Sequence, residues 1–359
     1  MPGTDALVTP DGARAHSKRA AAAAKIFDFD TCLEGVTQAA VFEECKLSEY
    51  VEAALDGFGV TIFAYGQTGS GKTYTMVGPH LGSATARLQK TQDEDGVLPR
   101  VFEYAYKAMT ARAHQTQYSA MTSCFEVYND HVTDLLINGS SPLAVRHNKH
   151  SGFYVEGLQT FSCPNPSTAL RHMNRALMHR HVRSHRLNQH SSRSHCIMTL
   201  HLQATPVNSD ATDETHSAPP KRFGFLRLVD LAGSERLKDS GSSDSDAVRE
   251  TGCINRSLFA LGQVLSALAL AQSSPSSSPI IPYRDSPLTM LLWDGLKGDG
   301  RILMLACAAP EQACVDETLA TLHFASLARR LKSSPILLLA PQDLLAHRHP
   351  RSAVVRPAC

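Results

Sequence analysis

The chain lacks several features that would place it in a membrane or on a polyanion. Its apolar runs, such as "PILLLA" near the C-terminus, fall far short of the about 18 residues that a membrane helix needs. The stretch "SKRAAAAAKIF" near the start has neither the apolar segment nor the cleavage site of a secretion signal. The 35 basic and 34 acidic residues leave a formal net charge of only +1, so no overall field attracts nucleic acid. We therefore expect a cytoplasmic protein with no nucleic-acid partner and no membrane partner.

The nine cysteines contain no C-x-x-C pair and no regular spacing, which argues against a disulfide framework and fits a reducing compartment. Five of the seventeen histidines lie in "HMNRALMHRHVRSHRLNQH", residues 172–190. Because no acidic or thiolate ligands stand beside them at suitable spacing, we interpret this stretch as a solvated helix face rather than a metal site. The sequence also lacks heptads and internal repeats, so it predicts no coiled coil.

Short β-rich runs alternate with helical patterns from "KIFDFD" onward, which is typical of an α/β fold. Apolar and β-branched content predicts strands at "VTIFAY", "TSCFEVYND", "CIMTLHL", "FGFLRLVDLA" and "RILMLACAA". Apolar residues at helical spacing predict helices at "QAAVFEECKLSEYVEAALDGF", "CINRSLFALGQVLSALALA" and "DETLATLHFASLARRL". With 43% apolar residues, the chain can bury a substantial core.

Polar stretches interrupt this pattern at residues 79–96, 205–222 and 272–279. Each is short enough to be a surface loop within one domain. We therefore predict an irregular N-terminal segment over residues 1–25, one domain over residues 26–332, and a short C-terminal tail over residues 333–359.

A phosphate-binding loop is predicted at "GQTGSGKT", which follows the apolar strand "VTIFAY" directly. The pattern G-x-x-x-x-G-K-[ST] after a strand places backbone N–H groups around a phosphate, at the positive end of the next helix. Lys72 would reach the β and γ phosphates, and the Thr73 hydroxyl would bind Mg²⁺. The loop residues predicted to bind are Gly66, Gln67, Thr68, Gly69, Ser70, Gly71, Lys72 and Thr73.

A second phosphate element is predicted at "LRLVDLAGSE", where an apolar strand ends in Asp230 and a glycine turn follows. An acidic residue at the end of a strand beside a phosphate loop can hold Mg²⁺, usually through water. Gly233 would offer an unobstructed N–H to the γ-phosphate. Alone, "DLAG" could be a strand that simply ends in a turn, but its place behind a phosphate loop favours the metal site.

The stretch "NQHSSRSH", residues 188–195, has no apolar side chain, although a helical pattern precedes it and a predicted strand follows. This stretch resembles the first switch of the kinesin motor domain. "GQTGSGKT" resembles its nucleotide loop, and "LVDLAGSE" resembles its second switch. The segments "FEVYNDHVTDLL", "GFYVEGL", "INRSLFALGQVLSAL", "IPYRDSPLT" and "ETLATLHFA" also resemble kinesin segments, in the same order. This resemblance covers roughly residues 27–332. It implies an α/β P-loop NTPase of kinesin motor type, with a central mixed β-sheet and helices on both faces.

The resemblance also implies roles for single residues. Ser192 would coordinate Mg²⁺ or hold the attacking water, and Asn188 would reach toward the phosphates. Arg193 would pair with Glu235 when both switches close over ATP, because an ion pair in a shielded site can latch two mobile loops. Tyr74 stands where kinesins place a ring against the adenine. The catalytic set implied in this way is Ser192, Arg193, Gly233 and Glu235.

The N-terminus departs from the kinesin pattern. Nothing in residues 1–25 resembles the first strand and the Arg-x-Arg-Pro stretch with which kinesin motor domains begin. The first strand of the sheet is therefore expected to be missing, which would leave backbone groups unpaired and the purine less enclosed. A truncated sequence, a natural short form and a degenerate motor all remain open as explanations.

The expected track-binding face departs from the pattern as well. Pro287 stands in "YRDSPLT" where the family pattern has a lysine, and "SGSSDSDAVRE" is less basic than in many kinesins. Since the C-terminal tail of tubulin is acidic, missing lysines should weaken a salt-screened attraction. The residues that remain as candidates for microtubule binding are Arg146, Lys149, Tyr283, Arg284, Lys297 and several histidines. For each charge the alternative is an ordinary solvated side chain.

These implications predict a microtubule-dependent motor that hydrolyses ATP with Mg²⁺, located on the cytoskeleton. The alternative is a non-motile kinesin-like module that binds nucleotide or microtubules, which the unusual N-terminus and Pro287 favour. A small-molecule kinase is disfavoured, because "SSRSH" and "DLAGSE" would then have no role.

Overall fold

The computed structural model describes residues 25–86, 88, 91–149, 152–186, 191–207, 220–235, 245–273 and 279–339. Its strands are β1 (Gly59–Tyr65), β2 (Thr116–Tyr128), β3 (His131–Asp134), β4 (Val145–Asn148), β5 (Gly152–Val155), β6 (Phe161–Ser162), β7 (His195–Pro206), β8 (Arg222–Asp230) and β9 (Arg301–Ala306). Its α-helices are α1 (Gln38–Glu44), α2 (Leu47–Leu55), α3 (Lys72–Met76), α4 (Val97–Ala111), α5 (Pro166–Arg186), α6 (Ser245–Ser273), α7 (Pro287–Leu291) and α8 (Val315–Arg329).

A mixed sheet of seven strands is the centre of the fold, as predicted, and β4 and β5 pair in a separate two-stranded hairpin. The strand order of the seven-stranded sheet is β3-β2-β7-β8-β1-β9, and β6 pairs separately with β2. The strand β1 is buried at every position and lies parallel to β8 on one side and to β9 on the other. Because the carboxyl ends of these three strands meet at the same edge, the segments that follow them converge there.

Helices cover both faces of the sheet, which also confirms the prediction. Alternate side chains of β1 point to opposite faces: Val60 and Ile62 contribute to one core, and Phe63 to the other. The first core is completed by apolar residues of α1, α2, α4 and α5. The second is completed by α6 and α7, with α8 packed against it.

The prediction of one continuous helix over "QAAVFEECKLSEYVEAALDGF" was wrong. The structure has two helices there, α1 and α2. Lys46 between them adopts a left-handed conformation with φ 52°. Phe42 and Leu47 are both buried although they are five residues apart. A continuous helix would turn these two side chains about 140° away from each other. The break at Lys46 lets both of them reach the core.

Residues 333–339 run in an extended conformation across the amino ends of three strands. Ile336 N–H donates to Asp299 O at 2.9 Å, before β9. Leu338 N–H donates to Gly57 O at 2.9 Å, and Phe223 N–H donates to Leu338 O at 2.8 Å. This segment therefore lies at the amino ends of the strands, whereas the predicted phosphate loop lies at their carboxyl ends.

The chain at residues 25–30 packs along α8. The ring of Phe27 meets His323 edge-on at 4.9 Å, and Arg329 donates to Asp28 O at 2.8 Å. Within the described residues, β9 forms the edge of the sheet beyond β1. Residues 1–24, on which the expectation of a missing first strand rests, lie outside the described part.

No helix in the described part combines the length and the apolar character that a membrane span requires.

Candidate functional site

The predicted phosphate loop joins β1 to α3 at the carboxyl edge of the sheet. Gly66, Gly69 and Gly71 have φ angles of 151°, 82° and 95°, which favour glycine. A Cβ at Gly66 would lie 2.1 Å from Cys307 O, so this position has no room for a side chain. The loop therefore turns tightly against the segment that follows β9.

Lys72 is buried at the start of α3, and its Nζ donates to Gln67 O at 2.7 Å across the loop. Burial lowers the pKa of Lys72, and the nearby carboxylates of Asp230 and Glu235 act in the opposite direction. The ammonium group thus lies inside the loop with acidic groups close by, as expected of a group that contacts phosphate.

Asp230 ends β8 directly beside the loop and is 1% exposed. Its Oδ2 accepts hydrogen bonds from Thr73 Oγ1 at 2.8 Å and from Arg180 Nη1 at 3.0 Å. Its Oδ1 is buried and has no hydrogen-bond partner among the described residues. A buried carboxylate oxygen that lacks a partner, next to a threonine hydroxyl, fits the predicted Mg²⁺ site, where metal-bound water would satisfy it.

Sequence reasoning missed Arg180. Its side chain, 3% exposed, also donates to Ser194 O at 2.9 Å and lies 3.6 Å from Glu126. Burial acts to lower the pKa of Arg180, but Cys196, Asp230 and Glu126 outweigh burial and raise it, so the group stays charged. Its place inside the histidine-rich stretch of α5 made it resemble a solvated surface residue.

The histidine-rich helix α5 lies against the sheet, and its histidines meet neighbouring polar groups. His172 Nδ1 is 2.9 Å from Thr122 Oγ1, and His179 Nδ1 is 2.8 Å from Leu135 O. The described residues contain no group of three or more histidine, cysteine or acidic side chains that could hold a metal ion.

The residues of the predicted first switch meet those of the second. Ser192 and Arg193 lie in a short 3₁₀ turn over Ser191–Arg193, and Ser192 O accepts the N–H of Gly233 at 2.8 Å. Gly233, the predicted γ-phosphate donor, is therefore bonded to the first switch in this structure. Asn188 lies outside the described residues, so its predicted role stays a prediction.

His195, at the end of the first switch, connects three elements. Its Nδ1 accepts from Ala232 N–H at 3.0 Å, so its Nε2 carries the proton and donates to Ser257 Oγ at 2.8 Å on α6. Burial, together with Arg180 and Lys72, lowers the pKa of His195 to about 3. A neutral imidazole therefore ties both switches to the long helix α6.

Glu235 contacts the phosphate loop directly. Its carboxylate accepts from Thr68 N–H at 2.7 Å and from Thr68 Oγ1 at 2.5 Å. The neighbouring Ser234 N–H donates to Gly66 O at 3.0 Å. The predicted ion pair between Glu235 and Arg193 stays a prediction for the ATP-bound state, because here the Glu235 carboxylate is bonded to Thr68.

Tyr74 follows the loop on α3 and is 51% exposed. Its backbone carbonyl accepts from Gln38 Nε2 at 2.8 Å, so the backbone is held while the ring faces solvent. An exposed aromatic ring beside a phosphate loop is available to stack on a base. The adenine contact predicted for Tyr74 remains a prediction.

The residues predicted to bind the track gather mainly around Trp293, which sequence reasoning missed. Tyr283 and Phe153 contact the Trp293 ring edge-on at 6.5 and 6.0 Å. Arg284 lies over the Phe153 ring at 5.5 Å, and Lys297 lies over the Trp293 ring at 3.8 Å.

The hairpin of β4 and β5 carries the other predicted track residues. Gly152 has φ 71°, and a Cβ there would lie 2.2 Å from Trp293, so glycine is required for the hairpin to pack on that ring. Lys149 lies exposed at the hairpin turn, and Arg146 pairs with Glu156 at 2.9 Å. Lys297 also pairs with Asp299. Two of the predicted cations therefore have acidic partners within the chain.

The family model for the kinesin motor domain matches residues 5–331. The chain belongs to the kinesin family. Kinesin-like protein KIF12 of Mus musculus is 39% identical over 311 residues, which is 86% of this chain and 47% of the mouse protein. The chain thus spans about half the length of this relative.

Solved kinesin structures share this architecture. One described as a fast kinesin superposes with a TM-score of 0.76 and 31% identity, over 93% of this chain and 88% of its own. Another is a KIF14 dimer in a two-heads-bound state with AMP-PNP, in complex with a microtubule. It superposes with a TM-score of 0.73 and 32% identity, over 88% of this chain and 85% of its own. The mixed sheet and its flanking helices are thus those of a kinesin motor.

Proposed function

We propose that this chain is an ATP-hydrolysing motor domain that couples closure of its two switches to microtubule binding and movement. The observation that carries the proposal is the contact of Thr73 with the buried Asp230, beside the buried Lys72, at the carboxyl ends of the strands. The KIF14 structure, described with AMP-PNP and a microtubule, supports the choice of nucleotide and of track. A microtubule partner would place the protein on the cytoskeleton of the cytoplasm.

In this proposal Thr73, Ser192 and Asp230 would hold Mg²⁺, and the buried Asp230 Oδ1, which has no partner among the described residues, is free to accept from metal-bound water. The metal would neutralise charge that develops on the phosphates during transfer. Lys72 and the amides of residues 66–73 would orient the phosphates, and Arg180 holds the Asp230 carboxylate beside the loop through an ion pair. The contact between Thr73 Oγ1 and Asp230 Oδ2 supports this assignment, because it brings two of the three proposed ligands together.

Hydrolysis requires Gly233 and Glu235 to exchange partners. Gly233 N–H leaves Ser192 O and donates to the γ-phosphate, while Glu235 leaves Thr68 and pairs with Arg193. Closure in this way orders the attacking water and removes bulk solvent. Because His195 joins both switches to α6, the same movement reaches the helix that kinesins lay across tubulin.

The proposed track face comprises the Trp293 cluster, the hairpin turn at Lys149 and the outer side of α6. Phe259 on α6 is 66% exposed. Leu270 lies about three turns further along nearly the same side of this helix and is 51% exposed. Binding would therefore combine apolar contact with the few cations present, Arg146, Lys149, Arg284 and Lys297.

A non-motile binding module is the second candidate, and one observation favours it. Arg146 and Lys297 are paired with Glu156 and Asp299, so fewer cations are available to the acidic tubulin tail. ATP turnover measured with and without microtubules distinguishes the two. Turnover that microtubules stimulate supports the motor, whereas microtubule binding without stimulated turnover supports the module.

A further inference from the structure

Two side chains, those of Glu235 and Thr68, crowd Gly233 at the junction of the predicted phosphate loop and the second switch. A Cβ placed on Gly233 would lie 2.3 and 2.4 Å from the two carboxylate oxygens of Glu235, and 2.4 Å from Thr68 Oγ1. The residue predicted to sense the γ-phosphate is therefore already covered by a carboxylate. That carboxylate is bonded to the loop through both the amide and the hydroxyl of Thr68.

The amide of Thr68 belongs to a glycine-rich loop whose N–H groups bind anions. Gly69 and Gly71 supply the left-handed conformations that turn such amides inward. Glu235 is half-buried and approaches this loop together with the buried Lys72. A carboxylate in this position occupies part of an anion-binding site.

The other groups that would respond to a terminal phosphate also have partners within the protein. Gly233 N–H is bonded to Ser192 O, and Ser234 N–H is bonded to Gly66 O. A third phosphate would have to break these contacts and displace Glu235, since two anions at such close range repel each other strongly. A nucleotide with only two phosphates requires none of this.

We propose that Glu235, held by Thr68, is an internal anion that competes with the terminal phosphate of ATP, so that Thr68 sets the preference of the resting protein for ADP over ATP. This inference rests on the proposed function, because it concerns the same nucleotide site. Displacement by ATP releases Glu235 toward Arg193. The movement of Glu235 from Thr68 to Arg193 would then both distinguish ATP from ADP and form the ion pair that joins the two switches.

The test compares Thr68→Val with Thr68→Ser in the full chain, using fluorescent ADP and a fluorescent non-hydrolysable ATP analogue. Valine keeps the size and β-branching of the side chain but removes the hydroxyl donor, whereas serine keeps the donor. Since a hydrogen bond to a charged group contributes more than a neutral one, we expect affinity for the ATP analogue relative to ADP to rise about fivefold in Thr68→Val. Thr68→Ser should keep the wild-type ratio.

Glu235→Gln provides a second measurement that leaves the loop sequence intact. Loss of the charge should raise the same ratio, and Thr68→Val should add little to it in the double variant, because both substitutions remove one interaction. An unchanged ratio in both Thr68→Val and Glu235→Gln would overturn the inference. If the wild-type chain binds neither nucleotide, the proposed function fails instead, so the two failures can be told apart.

Discussion

Arg180 and Asp230 form a buried ion pair in which Nη1 and Oδ2 are 3.0 Å apart, and side chains of both residues are at most 3% exposed. The pair joins α5 to the end of β8, directly behind the proposed Mg²⁺ site. Removal of one member leaves the other as an isolated buried charge, which is far more costly than the loss of a surface pair.

Arg180→Met should therefore lower the free energy of unfolding by about 3 kcal/mol or more. The reason is that the Asp230 carboxylate stays buried without its counter-charge. Urea denaturation followed by circular dichroism measures the change. Arg175→Met on the same helix, where no ion pair is found in the described structure, is the matched control. Equal stability of the two variants would contradict the role assigned to Arg180.

Lys72→Ala should abolish tight ATP binding, because the phosphates lose their principal counter-charge inside the loop. Titration with a fluorescent nucleotide measures the affinity. Lys107→Ala on α4, away from the loop, controls for a general effect of removing a lysine. Unchanged nucleotide affinity in Lys72→Ala would refute the assignment of the phosphate loop.

Glu235→Ala should bind ATP but hydrolyse it at least about a hundredfold more slowly, since one element that positions the transition state is lost. The phosphate loop itself stays intact in this variant. Single-turnover measurements separate binding from hydrolysis. Parallel losses in affinity and turnover would show that Glu235 serves binding rather than switch closure.

Acid should destabilise the protein through His195, whose pKa falls from 6.5 to about 3 on burial. Between these values the unfolded chain binds a proton that the native protein excludes. The free energy of unfolding should thus decrease as pH falls below about 6.5, by at most about 1.4 kcal/mol per pH unit from this group. Urea titrations from about pH 7.5, above the transition, down to about pH 4, within it, test this expectation.

The control for His195 is His195→Asn, whose side-chain oxygen can still accept from Ala232 N–H. It should be less stable at neutral pH but show a shallower decrease of stability with acid. An identical pH slope in the two proteins would assign the acid sensitivity to other groups.

Pro287→Lys should tighten microtubule binding by about 1 kcal/mol, because exposed ion pairs rarely contribute more. Binding of the wild-type chain should weaken steeply with salt, since its few exposed cations are screened within about 8 Å at physiological ionic strength. Basal ATP turnover should not change. Co-sedimentation across a salt series measures the binding.

Pro287 occupies the first turn of α7, after Ser286, whose hydroxyl accepts from Leu288 N–H at 3.1 Å. Proline is favoured at that position, so its replacement has a small conformational effect of its own. Pro287→Gln removes the ring without adding charge and is therefore the matched control. If neither the wild-type chain nor Pro287→Lys pellets with microtubules at low salt, the motor proposal fails and the nucleotide-binding module remains.

The sequence was most informative where chemistry is local. The tight glycine turn between β1 and α3 and the strand end at Asp230 could be predicted, because glycines, a lysine and an apolar strand occur at fixed spacing along the chain. Arg180 could not be predicted in this way, because its role depends on contacts with residues 14 and 50 positions away. Periodicity also missed the break at Lys46, which becomes necessary only when α1 and α2 pack on one core.

The track face shows the same limit. Tyr283, Arg284 and Lys297 could be proposed from their likeness to kinesin segments and from their charge. Their arrangement around one indole ring could not be predicted, because it depends on how the β4–β5 hairpin packs against Trp293. That packing requires glycine at residue 152, which no charge pattern indicates. The contact of Glu235 with Thr68 could not be predicted either, because these residues are 167 positions apart in the chain.

Trp293 is the sole tryptophan of the chain, beside nine tyrosines. Its indole lies under the ammonium group of Lys297 and against the rings of Tyr283 and Phe153, so its emission is sensitive to small displacements of these neighbours. Selective excitation of tryptophan therefore gives an optical signal from the proposed docking face alone. Time-resolved fluorescence of the unlabelled protein can follow that face while a nucleotide binds at the other site, without an introduced dye.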